Sequence, residues 1–145
     1  RVVPKPDGSR WVMTPHPAEA ARLLNISVAE VQANRFSAVR QLQKKFNAVV
    51  LLKGAGTLIT SADSELIHVC PYGNPSMATA GMGDMLSGIV GGLLAQGLAP
   101  SQAAQLGCCL HSAAADLAVE DRGARGLAAT DISAFITAIL NGADL

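Results

Sequence analysis

The chain has 145 residues, half of them hydrophobic and 15% charged, which excludes a disordered protein and allows one domain with a real core. Lys plus Arg equals Asp plus Glu, so the formal net charge is zero and no basic block is present. That balance gives no sign of a nucleic-acid surface, and the few aromatic residues argue against a base-stacking platform.

Lys5 to Ser9 (KPDGS) reads as a turn, since Pro, Asp and Gly each favour turn geometry. Arg10 to Thr14 (RWVMT) reads as a short strand. PHPAEAARLL then opens a helix, with Pro17 at a first helical position and Glu19 in the first turn, where the dipole favours a carboxylate. Ser27 to Glu30 (SVAE) has capping-box spacing and predicts a long amphipathic helix to about Phe46. Val28, Val31, Phe36, Val39, Leu42 and Phe46 form its apolar face.

Ala48 to Leu52 is a continuous apolar strand of the kind buried on both faces. KGAG turns the chain into a strand at Thr57 to Thr60, and SADS turns it into another at Glu65 to Cys70. A long loop, PYGNPSMATAGMG, precedes three helices, at about 84–96, 101–120 and 131–140, the last with Thr130 as its N-cap. The apolar face of Ala103 to Ala118 reads either as core or as a contact between subunits of a homo-oligomer.

A right-handed strand–helix–strand crossover makes the first two strands parallel. The short turns then reverse the third and restore the direction of the fourth. The carboxyl ends of three strands therefore share one sheet edge, leading into PHP, KGAG and the GMGD loop, and ligands of open α/β sheets bind at that edge.

The cysteines Cys70, Cys108 and Cys109 are odd in number and two are adjacent, so they read as small buried residues of a reducing, cytoplasmic protein. No zinc-ligand spacing occurs. The longest apolar run, Met85 to Leu98, falls short of the ~20 residues that span a bilayer, so no membrane is expected. The first residues are polar and proline-rich, unlike a signal peptide, and the start at Arg1 reads as a piece of a longer protein.

The motif AGMGD, Ala80 to Asp84, carries the clearest chemistry. Gly81 and Gly83 permit positive φ and close backbone approach, and the following helix offers unpaired N–H groups at its positive end. Together these suit a phosphate. Asp84 is the odd member, because a carboxylate repels a resting phosphate; it makes sense as a base on a hydroxyl about to be phosphorylated. The competing reading is an Asp N-cap in a packed core, and Gly88, Gly91 and Gly92 point to close packing along that helix.

LLKGAGT offers exposed N–H groups and one cation for a nucleotide, or a plain hairpin turn; it is not a Walker A loop. TPHPAE holds His16 rigidly between prolines, as a substrate contact or a capping histidine. His111 reads as a satisfied interior or interface residue, and His68 has no evident partner.

In this order, TPHPAEAARLL, LKGAGTLI, GNPSMATAGMGDMLSGIVGGLLAQG and ATD resemble the ADP/ATP-dependent NAD(P)H-hydrate dehydratases, often the carboxyl-terminal domain of a bifunctional nicotinamide-nucleotide repair enzyme. The resemblance runs from about Arg10 to Asp131 and departs at Ser76 and Ala18, where glycine is frequent. It implies a ribokinase-like α/β fold, a mostly parallel sheet flanked by helices. It also implies that residues 1–145 form only the carboxyl-terminal part of one domain about twice this length.

The implied reaction phosphorylates the hydroxyl of hydrated NADH or NADPH with ADP or ATP and Mg2+, after which phosphate elimination restores the cofactor. His16 then resembles a contact to the hydrated nucleotide. Lys53, Gly54, Ala55, Gly56, Thr57 and Gly83 resemble the adenine-nucleotide contacts. Asp84 resembles the base on the substrate hydroxyl, with the N–H groups of Gly81, Met82 and Gly83 as the anion hole. The implied partners are the two nucleotides and the missing amino-terminal half. Two rivals share these motifs: a ribokinase-like kinase of a vitamin-precursor alcohol, and a non-catalytic nucleotide-binding fragment.

Overall fold

The computed structural model describes residues 11–142; the turn expected at Lys5–Ser9 lies outside them. β1 is Val12–Met13 and α1 is Pro17–Leu24. α1 starts as a capping box in which His16 takes the usual place of Ser or Thr: its ring accepts the Glu19 N–H, and the Glu19 carboxylate accepts the His16 N–H. Asn25 ends the helix in the left-handed conformation that Asn tolerates.

The single helix expected from Ser27 to Phe46 is two, α2 (Val28–Ala33) and α3 (Arg35–Phe46). Ser27 does form the expected capping box with Glu30. The break falls at Asn34, which leaves helical geometry (φ −148°, ψ 78°) and accepts the Ser37 N–H with its side chain, capping α3. Asn competes for backbone donors in this way, and periodicity alone overlooks it.

β2 (Val49–Leu52), β3 (Leu58–Thr60) and β4 (His68–Val69) follow. β4 is shorter than the expected Glu65–Cys70, because the Ser64 and Glu65 carbonyls are taken by the Arg40 guanidinium. Three long elements close the chain: α4 (Met82–Ala95), α5 (Pro100–Arg122) and α6 (Ser133–Leu140). Thr130 does not cap α6; it sits inside a 3-10 turn, Ala129–Ile132, whose first residues are held by Asp131 accepting the Ala128 N–H at 2.8 Å.

The four strands form one sheet in the order β1-β2-β3-β4. β1 and β2 are parallel, with Val12 opposite Val49, while β2–β3 and β3–β4 are antiparallel. β1, β2 and β4 thus point one way, as the turn lengths require, in a sheet of mixed pairing.

β2 is buried throughout because its alternate residues serve two layers. Val49 and Leu51 join Leu86, Val90 and Leu93 of α4 and Ala103, Ala104 and Cys108 of α5. Val50 and Leu52 join Ala20, Ala21, Val31, Ala38, Val39 and Leu42 on the other face. The Ala103–Ala118 face is core: Ala103, Ala104, Ala114, Ala115 and Ala118 are fully buried within the chain.

α4 and α5 approach closely at Gly107, where a methyl would lie 2.8 Å from Val90 Cγ2. The expected packing along Gly88, Gly91 and Gly92 is not there: an added methyl at each meets nothing within 4 Å among the described residues. That side of α4 is exposed. Among the described residues no helix is long and apolar enough to cross a membrane.

Candidate functional site

The loops that follow β1, β2 and β4 meet at one edge of the sheet and enclose a cleft of about 760 Å³. His16 and the whole Lys53–Thr57 turn line it, as do Asn74, Met77, Met82, Gly83 and His111. The shared edge inferred from topology therefore exists as a concave site. Gly81 and Asp84 do not line this cleft.

The Lys53–Thr57 turn is shaped by side chains and backbone behind it. The Lys53 N–H donates to the Pro15 carbonyl at 2.9 Å. Arg35, the first residue of α3, donates from Nη1 to the Ala55 carbonyl at 2.7 Å and from Nη2 to the Leu52 carbonyl at 3.3 Å. Thr57 Oγ1 donates to the Gly54 carbonyl at 3.2 Å. The carbonyls of Gly54 and Ala55 in the turn, and of Leu52 just before it, are thus occupied, while the N–H groups of Gly54, Ala55, Gly56 and Thr57 have no acceptor among the described residues. Unpaired amide donors in a turn make a nest for an anion. Gly56 has φ +64°, a conformation L side chains rarely adopt, and Gly54 leaves room for the guanidinium: a methyl there would sit 2.8 Å from Arg35 Nη2.

The Lys53 ammonium reaches from this turn to the first turn of α4, where a methyl on Gly83 would stand 3.0 Å from Nζ. Its other neighbour is Glu19, 3.9 Å away, whose second oxygen lies 3.4 Å from His16 Nε2. Glu19, read from sequence only as a favourable first-turn acid, links His16 and Lys53.

α4 opens at Met82 after Gly81, which takes φ +86° as N-cap and so makes no side-chain cap. Its first N–H groups are orphaned as in any helix. Asp84 is the third helical residue rather than the cap, and it is exposed. The loop before α4 is pinned by Asp116 of α5, which accepts the Gly73 N–H at 2.8 Å and the Asn74 amide at 2.7 Å.

His111 differs from its sequence reading. It is 5% exposed and lines the cleft, but its Nε2 is buried with no partner among the described residues. Burial pushes its pKa below the ordinary value, the Met82 carbonyl opposes this, and the Lys53 ammonium adds to the lowering. The desolvated imidazole thus disfavours its protonated form beside the Lys53 ammonium. Nearby, contact with Cys70 and burial push the Cys108 thiol up. The cysteines are unpaired, as expected.

Arg35, Asp116 and the open valence of His111 were missed from sequence. Asp116 and His111 left one signal: each is an ionisable residue in an alanine-rich, buried helical run and needs a partner there. Arg35 left none, because its acceptors lie 17 and 20 residues away.

The family described as NAD(P)H-hydrate dehydratase matches residues 4–138. The chain is similar to a bifunctional NAD(P)H-hydrate repair enzyme of Coxiella burnetii, 55% identical over 131 residues that cover 90% of this chain and 27% of that protein. Among solved structures it is similar to the ADP/ATP-dependent NAD(P)H-hydrate dehydratase of Bacillus subtilis co-crystallized with ATP and Mg2+, with TM-score 0.88 and 30% identity over 97% of this chain and 50% of that one. It is also similar to a ribokinase-like superfamily protein of Enterococcus faecalis, with TM-score 0.72 and 30% identity over 90% of this chain and 44% of that one. The chain thus spans about a quarter of the bifunctional relative and about half of the solved neighbours. The fold is ribokinase-like.

Proposed function

This chain belongs to the NAD(P)H-hydrate dehydratase family, and from that premise we propose that it carries the nucleotide and phosphoryl-transfer part of an enzyme that repairs hydrated NADH and NADPH. The observation that supports this most is the convergence of the anion-nest turn Gly54–Thr57, the Lys53 ammonium and the start of α4 on one cleft. ADP or ATP would lie with its phosphates against the turn and Gly83. His16, oriented through Glu19, would contact the hydrated nicotinamide nucleotide.

Asp84 would accept the proton of the ring hydroxyl as its oxygen attacks the terminal phosphorus, and the nucleotide would leave one phosphate shorter. The N–H groups of Gly81, Met82 and Gly83 would stabilise the transferring phosphoryl. Breaking the C–O bond with phosphate as leaving group, and losing a ring proton, then restores the dihydropyridine.

Magnesium fits as a partner of the nucleotide. No cluster of His, Cys, Asp or Glu among the described residues forms a cage for it. Mg2+ is characteristically held by substrate phosphates, water and at most a carboxylate or two. It would neutralise phosphate charge during transfer.

Residues 1–145 would be the carboxyl-terminal portion of one domain. The rest of that domain would pack against the outer edge of β1, unpaired among the described residues, and the Gly88, Gly91 and Gly92 side of α4, carrying the substrate to Asp84. Unpaired cysteines suit a reducing cytoplasm.

The test is to give the full-length parent hydrated NADH, ADP and magnesium and to follow the return of reduced-nicotinamide absorbance. Accumulation of a phosphorylated hydrate with no NADH would sink the dehydratase reading and leave a kinase.

A further inference from the structure

We propose that Arg35 is a positioning residue for the nucleotide, holding the backbone of the Lys53–Thr57 turn so that its amide donors stay free for the phosphates; this rests on the nucleotide reading of the cleft.

A glycine-rich turn has many conformations, and in most of them its carbonyls compete for its own N–H groups or turn toward the ligand. An anion site needs the carbonyls held away. The Arg35 fork does this at two points at once, through the Leu52 and Ala55 carbonyls that bracket Lys53 and Gly54. The planar guanidinium packs directly behind Gly54, where even a methyl would overlap Nη2. Thr57 Oγ1 holds a further carbonyl, that of Gly54.

The arrangement has a cost. Arg35 Nε is buried without an acceptor among the described residues, and burial pulls the guanidinium pKa below its ordinary value. An arginine serving only as the first residue of α3 would leave its head in water. Asn34 places it: the chain breaks between α2 and α3, and the restarted helix presents Arg35 at the end nearest the turn. Lysine does not substitute, because a single ammonium lacks the rigid fork that reaches two carbonyls in fixed geometry.

Calorimetric titration of ADP with magnesium into the full-length parent tests this, alongside Arg35→Gln and Arg35→Lys. Arg35→Gln should weaken ADP roughly tenfold or more, while kcat at saturating ADP stays within about twofold. Protection of the Gly54–Thr57 amides from hydrogen exchange on adding ADP should be reduced in Arg35→Gln, with exchange at Val49–Leu52 unchanged. Arg35→Lys should recover only a small part of the affinity. Full recovery by lysine would show that the charge alone matters and would overturn the proposal. So would unchanged ADP affinity in either folded variant. If Arg35→Gln does not fold, Arg35→Lys decides by the same criterion. A wild-type protein that binds no ADP would overturn the nucleotide reading itself, an outcome distinct from intact binding in the variants.

Discussion

Gly83→Ala separates packing from binding at the start of α4. Gly83 is the second residue of α4, and an added methyl meets just one atom within 4 Å, Lys53 Nζ at 3.0 Å. That atom ends a flexible side chain, so the methyl displaces the ammonium without disturbing the core. Replacing a helical glycine by alanine favours the helix by up to about 1 kcal/mol. Folding stability should therefore hold or rise by that amount. The displaced ammonium still has Glu19 within 3.9 Å as an alternative partner. A hydrogen bond from a charged group contributes roughly 1.5–3 kcal/mol, so ADP affinity should fall about tenfold to a hundredfold. Urea unfolding and calorimetric ADP titration measure the two quantities. Repeating both in a Lys53→Met background isolates the route: once the ammonium is gone, Gly83→Ala should have little further effect on ADP affinity. Equal losses in both backgrounds, or a stability drop beyond 1 kcal/mol, would refute the reasoning.

Asp84→Asn should cut turnover by roughly 10²–10⁴-fold, the span of a lost general base, with ADP affinity and thermal midpoint nearly unchanged because Asp84 is exposed and outside the cleft. Gly107→Ala should behave oppositely to Gly83→Ala: its methyl lands 2.8 Å from Val90 Cγ2 in the core, so overpacking of about 1–3 kcal/mol outweighs the roughly 1 kcal/mol helix gain. Urea midpoints should fall, and Val90→Ala in the same chain should recover part of the loss. His111 has a folded pKa depressed below its unfolded value of 6.5, so the stability it contributes is present above pH 6.5 and lost as pH falls through the folded value. Unfolding midpoints measured down from neutral pH should show this slope, and His111→Gln should flatten it.

What could be read from the sequence was set by local chemistry. The β2 run, the Ser27 capping box and Pro17 at the start of α1 each follow from neighbouring residues, and each stands in the structure. Strand directions followed from connection lengths, and with them the shared edge where the cleft lies. The failures have two physical sources. Asn34 and Arg40 redirect backbone hydrogen bonds through side chains, breaking one helix and shortening one strand in ways that apolar periodicity does not register. The supports of the site, Arg35 on its turn and Asp116 on its loop, act across 17 to 43 residues and leave no spacing to find. The glycines of α4 misled for another reason: small residues signal close approach of some backbone, and the described residues place none there.

The same glycines bear on Asp84. On a helix, positions 84, 88 and 91 share one side, and 82 and 86 share another. Met82 and Leu86 line the cleft, whereas a methyl at Gly88 or Gly91 would meet nothing within 4 Å among the described residues, so Asp84 stands on the bare side of α4. An N-cap role would have tied its carboxylate to its own helix, yet Gly81 occupies the cap and the first turn is left without a side-chain acceptor. α1, α2 and α3, by contrast, are each closed by the side chain of His16, Ser27 or Asn34. The first turn of α4 therefore separates two environments. On one side are Lys53, His111 and the amide-rich turn, the proposed seat of the nucleotide phosphates; on the other is a carboxylate with no hydrogen-bond or ion-pair partner among the described residues. A phosphoryl group passing from a donor in the cleft to an acceptor on the bare side would cross the orphaned N–H groups of that turn. A hydroxyl-bearing substrate held there by the rest of the domain would meet Asp84 first.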